Sequence, residues 1–261
     1  MRNYLSRLAA PVSVVVLTMM VSGSVFASAD KVSANITNGK NIFTNGKGDA
    51  AACVSCHGEK AMGIDAMGTP RLANIGFAYM VKQLTDFAGD KRTDTTLGVM
   101  NAFAKVLSEQ DRRDVAAYVN TLEVASEHSD LKALKAEGQQ VGQAFLGQAI
   151  VTYGLNRVKD GVKDSVSACQ SCHGYNGRGA DPIYPMIGQQ KYVYLVNQLK
   201  KWRDGSRAND MVGQMRAIAK NLTDDDIRNV AAFLSSAPQT TVGNSRTPEN
   251  QSVLKNVAIT K

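Results

Sequence analysis

Cys53-Val54-Ser55-Cys56-His57-Gly58 and Cys169-Gln170-Ser171-Cys172-His173-Gly174 are two copies of one pattern, C-x-x-C-H. That run is the attachment signature of c-type haem. Two thiols three positions apart on a helical turn reach the two vinyl groups of one porphyrin, leaving thioether bonds. The next residue then brings an imidazole to one face of the iron. The two copies use all four cysteines and two of the three histidines, so no thiol remains for other work. A disulfide framework, or a zinc site built from two C-x-x-C pairs, would also use four cysteines. Neither needs a histidine directly after the second cysteine, twice. The pattern predicts two covalently bound haem c groups, one on Cys53, Cys56 and His57 and one on Cys169, Cys172 and His173.

Outward from the two motifs, the chain reads as one unit written twice. Upstream, Gly39, Ile42 and Gly46 match Gly147, Ile150 and Gly154; the second half then carries extra residues, including Arg157-Val158-Lys159-Asp160-Gly161, which read as a surface loop. Downstream, Pro70 matches Pro185. Phe77, Met80, Val81, Leu84 and Phe87 match Tyr192, Leu195, Val196, Leu199 and Trp202. That spacing is one apolar stripe of an amphipathic helix, and its default role is core packing. Ser108-Glu109-Gln110-Asp111 and Thr223-Asp224-Asp225-Asp226 read as helix starts, a hydroxyl cap followed by acids in the first turn. The helices they open bury Val115, Ala116, Tyr118, Val119 and Leu122 in one half and Val230, Ala231, Phe233 and Leu234 in the other. No segment reads as a β-strand. The predicted fold is all-α, two small helical domains, each wrapped around one covalently attached haem that staples a core too small to stand alone.

A haem iron with one histidine has a sixth position to fill. His128, the spare histidine, has no counterpart in the other half and reads as solvated. Met100-Asn101-Ala102-Phe103-Ala104-Lys105-Val106-Leu107 lies over Met215-Arg216-Ala217-Ile218-Ala219-Lys220-Asn221-Leu222, which makes Met100 and Met215 the matched pair of sulfur ligands. Met211 competes, four residues before Met215 and on the same helical face, but its equivalent is Thr96. Met62, Met67 and Met186 have no methionine at the matched position, and Met80 reads as core filling. Pro70 and Pro185, a dozen residues or so past each histidine, are either turn prolines or carbonyl acceptors for the second ring N–H.

The first 29 residues read as a secretory signal peptide. Arg2 and Arg7 begin it, an uncharged apolar run follows, and Ala27-Ser28-Ala29 offers cleavage after Ala29 or Ala27. An uncleaved anchor is the competing reading, since the uncharged run is long enough to span a bilayer. The expected divisions are a first domain at 30–122, a linker at 123–140, a second domain at 141–237 and a C-terminal tail at 238–261 with little apolar periodicity. Residues 30–137 carry net −1 and residues 138–261 net +6, a charge dipole that orients an approaching partner. Export and the lack of a binding motif argue against nucleic acid.

On these residues the chain resembles the dihaem cytochrome c4 family, two fused class I cytochrome c domains. In the second half the resemblance rests on Pro185, Gly188-Gln189, Tyr194, Gln198-Leu199, Gly205, Arg207, Asn209-Asp210, Met215, Leu222 and Asp225-Asp226. In the first it rests on Pro70, Leu72, Tyr79, Gln83-Leu84, Asp86-Phe87 and Met100, with a departure at Asn74-Ile75-Gly76 where a Gly-Gln pair is more usual. The resemblance implies a periplasmic electron carrier with one His/Met haem per domain, often membrane-associated, passing electrons between redox proteins toward a terminal oxidase. It also implies haem edges that meet near the domain interface. The expected function is therefore one-electron transfer without a small-molecule substrate. The rivals are a dihaem peroxidase, or the haem-bearing subunit of a larger dehydrogenase such as a flavin-linked sulfide oxidiser.

Overall fold

Small residues at matched places let helices cross closely, and this fixes the frame of both halves. The computed structural model describes residues 33–93, 98–125, 127–159 and 162–238. The expected leader with its cleavage sites, Thr96 and the tail from residue 239 lie outside those residues. The first half runs through α1 (Ile36–Asn45), α2 (Val54–His57), α3 (Phe77–Ala88), α4 (Val99–Val106) and α5 (Glu109–Asn120). After α6 (Leu131–Ala136) the second half repeats the order: α7 (Ala144–Tyr153), a hairpin of β1 (Leu155–Lys159) and β2 (Val162–Val166), α8 (Gln170–His173), α9 (Tyr192–Asp204), α10 (Gln214–Ala219) and α11 (Asp224–Ser236).

α1 packs on α5 and α7 on α11. A Cβ at Gly39 would lie 2.0 Å from the Asp114 carbonyl oxygen, and one at Gly147 1.8 Å from that of Asn229. The Gly39→Ala protein should therefore lose stability at the upper end of the about 1–3 kcal/mol typical of overpacking. Calorimetry should register a lower melting temperature, and an unchanged profile would remove this contact from the account.

α5 and α11 start as the sequence predicts. Ser108 Oγ accepts from the Asp111 backbone N–H at 3.1 Å while the Asp111 carboxylate accepts from the Ser108 N–H at 3.0 Å; Thr223 and Asp226 repeat the arrangement at 3.1 and 2.8 Å. Each capping carboxylate also holds a cation from the segment before the haem motif, Lys47 on Asp111 and Arg157 on Asp226, both at 2.6 Å. Ile42, Phe43, Leu84, Val115 and Val119 centre the first core, and Ile150, Tyr192, Leu195, Val230 and Leu234 the second. Tyr118 and Leu122 are half-buried at the edge of the first rather than inside it.

The expectation of no strand is corrected by the hairpin, where Leu155 pairs with Val166 and Lys159 with Val162 in an antiparallel register. The expected loop at 157–161 is thus mostly strand. Its alternation is concealed because the outward residue is apolar and an inward one is charged. Val158 is 72% exposed, while Arg157 turns back to Asp226 and to the Asn221 carbonyl at 2.6 Å. Val166 is buried with Leu222 and Ile227, so the extra residues cover one side of the second core.

The stretch between the repeats carries packing of its own. Val124 is buried in the first core and Leu134 of α6 in the second. His128 is exposed, with Nδ1 3.3 Å from the Ser235 carbonyl.

Candidate haem sites

In each half the C-x-x-C-H run forms one helical turn, closed by the histidine N–H donating to the first cysteine's carbonyl at 2.9 Å. Helical spacing of three places both sulfurs of a pair on one side. Gly58 and Gly174, at φ +77° and +72°, turn the chain away directly after each histidine, a conformation costly for any residue with a Cβ. None of the four cysteines is in a disulfide. Among the described residues no group of three or more His, Cys, Asp or Glu side chains could hold a metal ion, so the two Cys pairs do not converge as a zinc site requires. Burial pushes the Cys53 and Cys169 thiols up to about 11. They are S–H at neutral pH, the form whose net addition across a vinyl group yields a thioether.

The histidines are the most tightly specified part of each site. His57 Nδ1 lies 3.0 Å from the Pro70 carbonyl oxygen and His173 Nδ1 2.9 Å from that of Pro185. A carbonyl oxygen only accepts, so Nδ1 carries a proton, and in the neutral ring the lone pair is then on Nε2. Both rings are buried, and burial holds the His173 imidazole below its ordinary value, in the neutral form that binds a metal. The prolines are therefore acceptors as well as turn residues, the second of the two roles open from sequence. Further bonds brace the loops between them: the Gly63 N–H to the His57 carbonyl at 2.8 Å, the Gly179 N–H to the His173 carbonyl at 2.6 Å, and Thr69 Oγ1 to the Cys56 carbonyl at 2.6 Å.

In the first half a cleft of about 1300 Å³, part of it open to solvent, has Cys53, Cys56 and His57 on its wall together with Met100. Ile42, Phe43, Leu84 and Phe103 make its apolar lining. Met67 and Met80 border the same space; Met80 is only 6% exposed in the core, and neither has a methionine at the matched position. Thiols and an imidazole, an apolar slot and a thioether are the parts a covalently held haem needs, so the residues fit the group.

In the second half Met215 is half-buried on α10, which packs on α9. Met211 is corrected: it does not share a helix with Met215. It lies in a separate turn at Met211–Gly213, half-exposed, and the chain passes through positive φ at Val212 (+47°) and Gly213 (+73°) before α10 begins.

Sequence reasoning missed the polar layer between the halves. Tyr194 and Gln198 of the second half border the first-half cleft beside Arg92. Arg92 donates to Gln83 Oε1 (2.7 Å), Tyr194 Oη (3.0 Å) and Gln198 Oε1 (3.1 Å). Arg207 mirrors it, donating to Gln198 Oε1 (2.7 Å), Tyr79 Oη (3.1 Å) and Gln83 Oε1 (2.9 Å). Each guanidinium also stacks on its own aromatic ring, 4.5 Å over Phe87 and 4.2 Å over Trp202. Burial pushes the Tyr194 phenol up, but Arg92 and Arg207 outweigh it and hold the group below its ordinary value. The signal available in sequence was the matched pairs Gln83/Gln198 and Arg92/Arg207, polar residues that the repeat keeps beside its apolar stripe.

Comparison with known proteins gives the same architecture. The family model described as Cytochrome c matches residues 36–123 and 158–238. The "Thiosulfate dehydrogenase electron acceptor" of Stutzerimonas stutzeri is 32% identical over 80% of this chain and 91% of that one. Cytochrome c4 of Pseudomonas aeruginosa is 31% identical over 72% of this chain and 85% of that one. The crystal structure of reduced recombinant cytochrome c4 from Pseudomonas stutzeri superposes with a TM-score of 0.61 at 28% identity, covering 78% of this chain and 99% of that one.

Proposed function

The chain belongs to the cytochrome c family, in its dihaem cytochrome c4-like group, and from that premise we propose that it is a periplasmic carrier that takes up one electron per haem and hands it to a redox protein. The observation that carries this reading is the pair of histidines whose Nδ1 protons are committed to proline carbonyls at 3.0 and 2.9 Å, leaving Nε2 for iron in both halves. When bound, each haem c supplies an iron centre that changes valence by one electron. Cys53 with Cys56, and Cys169 with Cys172, would hold the rings. His57 and His173 would offer Nε2 to the irons, and Pro70 and Pro185 keep those imidazoles oriented and would keep them basic. Met100 and Met215 would supply the thioether sulfurs, which favour reduced iron. The apolar lining would keep water from the metal, and Arg92, Tyr194 and Gln198 on the cleft wall would offer hydrogen-bond donors to the ring's carboxylates. No helix among the described residues is long and apolar enough to cross a membrane. The periplasmic placing therefore rests on the leader in the sequence, with peripheral membrane association as the alternative to a free carrier.

For the donor, the relatives named electron acceptors of thiosulfate dehydrogenase favour a sulfur-compound dehydrogenase. This specifies the partner-subunit alternative further and uses the same residues. The test is a spectroelectrochemical titration of the purified protein. Two one-electron waves, low-spin spectra in both oxidation states and electron transfer to the acceptor that slows as salt screens the basic second half are expected. A high-spin resting spectrum with peroxide turnover would replace the carrier by a peroxidase.

A further inference from the structure

Arg71 is fully buried, and among the described residues none of its partners is a carboxylate. Its Nε donates to the Gln189 carbonyl (3.2 Å), Nη2 to the carbonyls of Met186 (3.3 Å) and Gly188 (3.0 Å), and Nη1 to that of Ala73. Its backbone is clamped as well: its N–H donates to Gln190 Oε1 at 2.7 Å, and Gln190 Nε2 donates back to its carbonyl at 2.9 Å. Five of these six bonds cross from the first half to the second.

The place of this cluster gives it meaning. Arg71 directly follows Pro70, whose carbonyl orients His57. Met186, which receives its guanidinium, directly follows Pro185, whose carbonyl orients His173. The repeat puts arginine after the first proline and methionine after the second, so the charge is supplied once. Burial lowers Arg71 to about 10, which leaves it protonated at neutral pH. Backbone dipoles stabilise that charge without cancelling it.

Resting on the dihaem reading above, we infer that Arg71 is a positioning residue common to both haems, one guanidinium that fixes the two proline loops against each other and sets both potentials together. The physical grounds are two. A fixed positive charge in a low-dielectric interior favours the less positive, reduced iron on either side of it. A loop held from both ends also leaves its proline carbonyl little freedom, which keeps the imidazole it orients in one position.

The test uses the full-length holoprotein, with haem content measured first. In Arg71→Met both midpoint potentials should move downward, and in the reduced protein the His57 and His173 ring N–H protons should exchange with solvent faster together. Arg71→Lys, which keeps the charge but not the fork, should recover most of the potential and little of the exchange protection. Should Arg71→Met not accumulate, Gln190→Leu removes the backbone clamp and leaves the charge. It should speed exchange at both histidines with the potentials nearly unmoved. A response confined to the first haem, or a lower melting temperature with both potentials and both exchange rates unchanged, would reduce Arg71 to a structural tie. A wild-type protein without covalent haem would instead overturn the carrier reading on which the inference stands.

Discussion

Met100→Ala should keep its first haem attached and lose that haem's high potential. Attachment depends on Cys53 and Cys56, on α2 and ahead of it, and the substitution leaves them alone. The sulfur on α4 is what it removes, from the same cleft wall that carries His57. Axial ligation accounts for a range of about 0.8 V among haem proteins. Exchanging a thioether for water or an open position should therefore lower one wave of the titration by a sizeable part of that range. The weak Met-to-iron band in the red should fall by half, and a high-spin signal should appear in the oxidised protein. The second haem, whose proposed ligands lie on α8 and α10, should move little. A variant with both waves displaced equally would mean that the sulfur at position 100 is not a ligand of one iron but a general support of the fold. Met67 and Met80 provide the control: either one changed to leucine should leave both waves nearly in place. A collapse of the first wave in Met67→Leu would transfer the ligand role there.

The second large effect is on folding. The protein with Cys53→Ser and Cys56→Ser should emerge one haem short and with its first half no longer cooperatively folded. Ile42, Phe43 and Leu84 face the cleft on one side and the first core on the other, and Phe103 lines the cleft beside them, so without the ring these side chains face water or collapse on one another. The apolar surface left uncovered is comparable in free energy with the entire stability of a small domain, about 5–15 kcal/mol. Hydrogen exchange should lose protection across α1, α3 and α5. The second half should also weaken, since Tyr194 and Gln198 would lose the Arg92 contact across the interface. A melting temperature within a few degrees of the parent protein would show that the polypeptide holds its own core.

Much of this was legible in the residues because both signals are local. C-x-x-C-H needs one helical turn to work, and the apolar stripes at 77–87 and 192–202 need only helical geometry to become core faces. The helix starts at Ser108 and Thr223 were equally readable, as each capping box closes within four residues. The hairpin was not, because its inward Arg157 is balanced by Asp226, 69 residues away, and its outward Val158 is apolar. Met211 was misplaced because periodicity does not foresee the turn through positive φ that separates it from α10.

The sequence by itself determined that there are two haem attachment sites, that each half is a helical copy of the other, and which matched methionines could complete the irons. Those properties depend on neighbours a few residues apart or on a repeat visible by alignment. Only the tertiary structure decided which side of each imidazole is free, that Arg92 and Arg207 exchange partners across the interface, and that Arg71 ties one proline loop to the other. These rest on hydrogen bonds to backbone carbonyls, amide side chains and tyrosine hydroxyls up to 128 residues distant. A backbone carbonyl is the same in every residue, so nothing in the order of side chains marks which one a buried guanidinium will find.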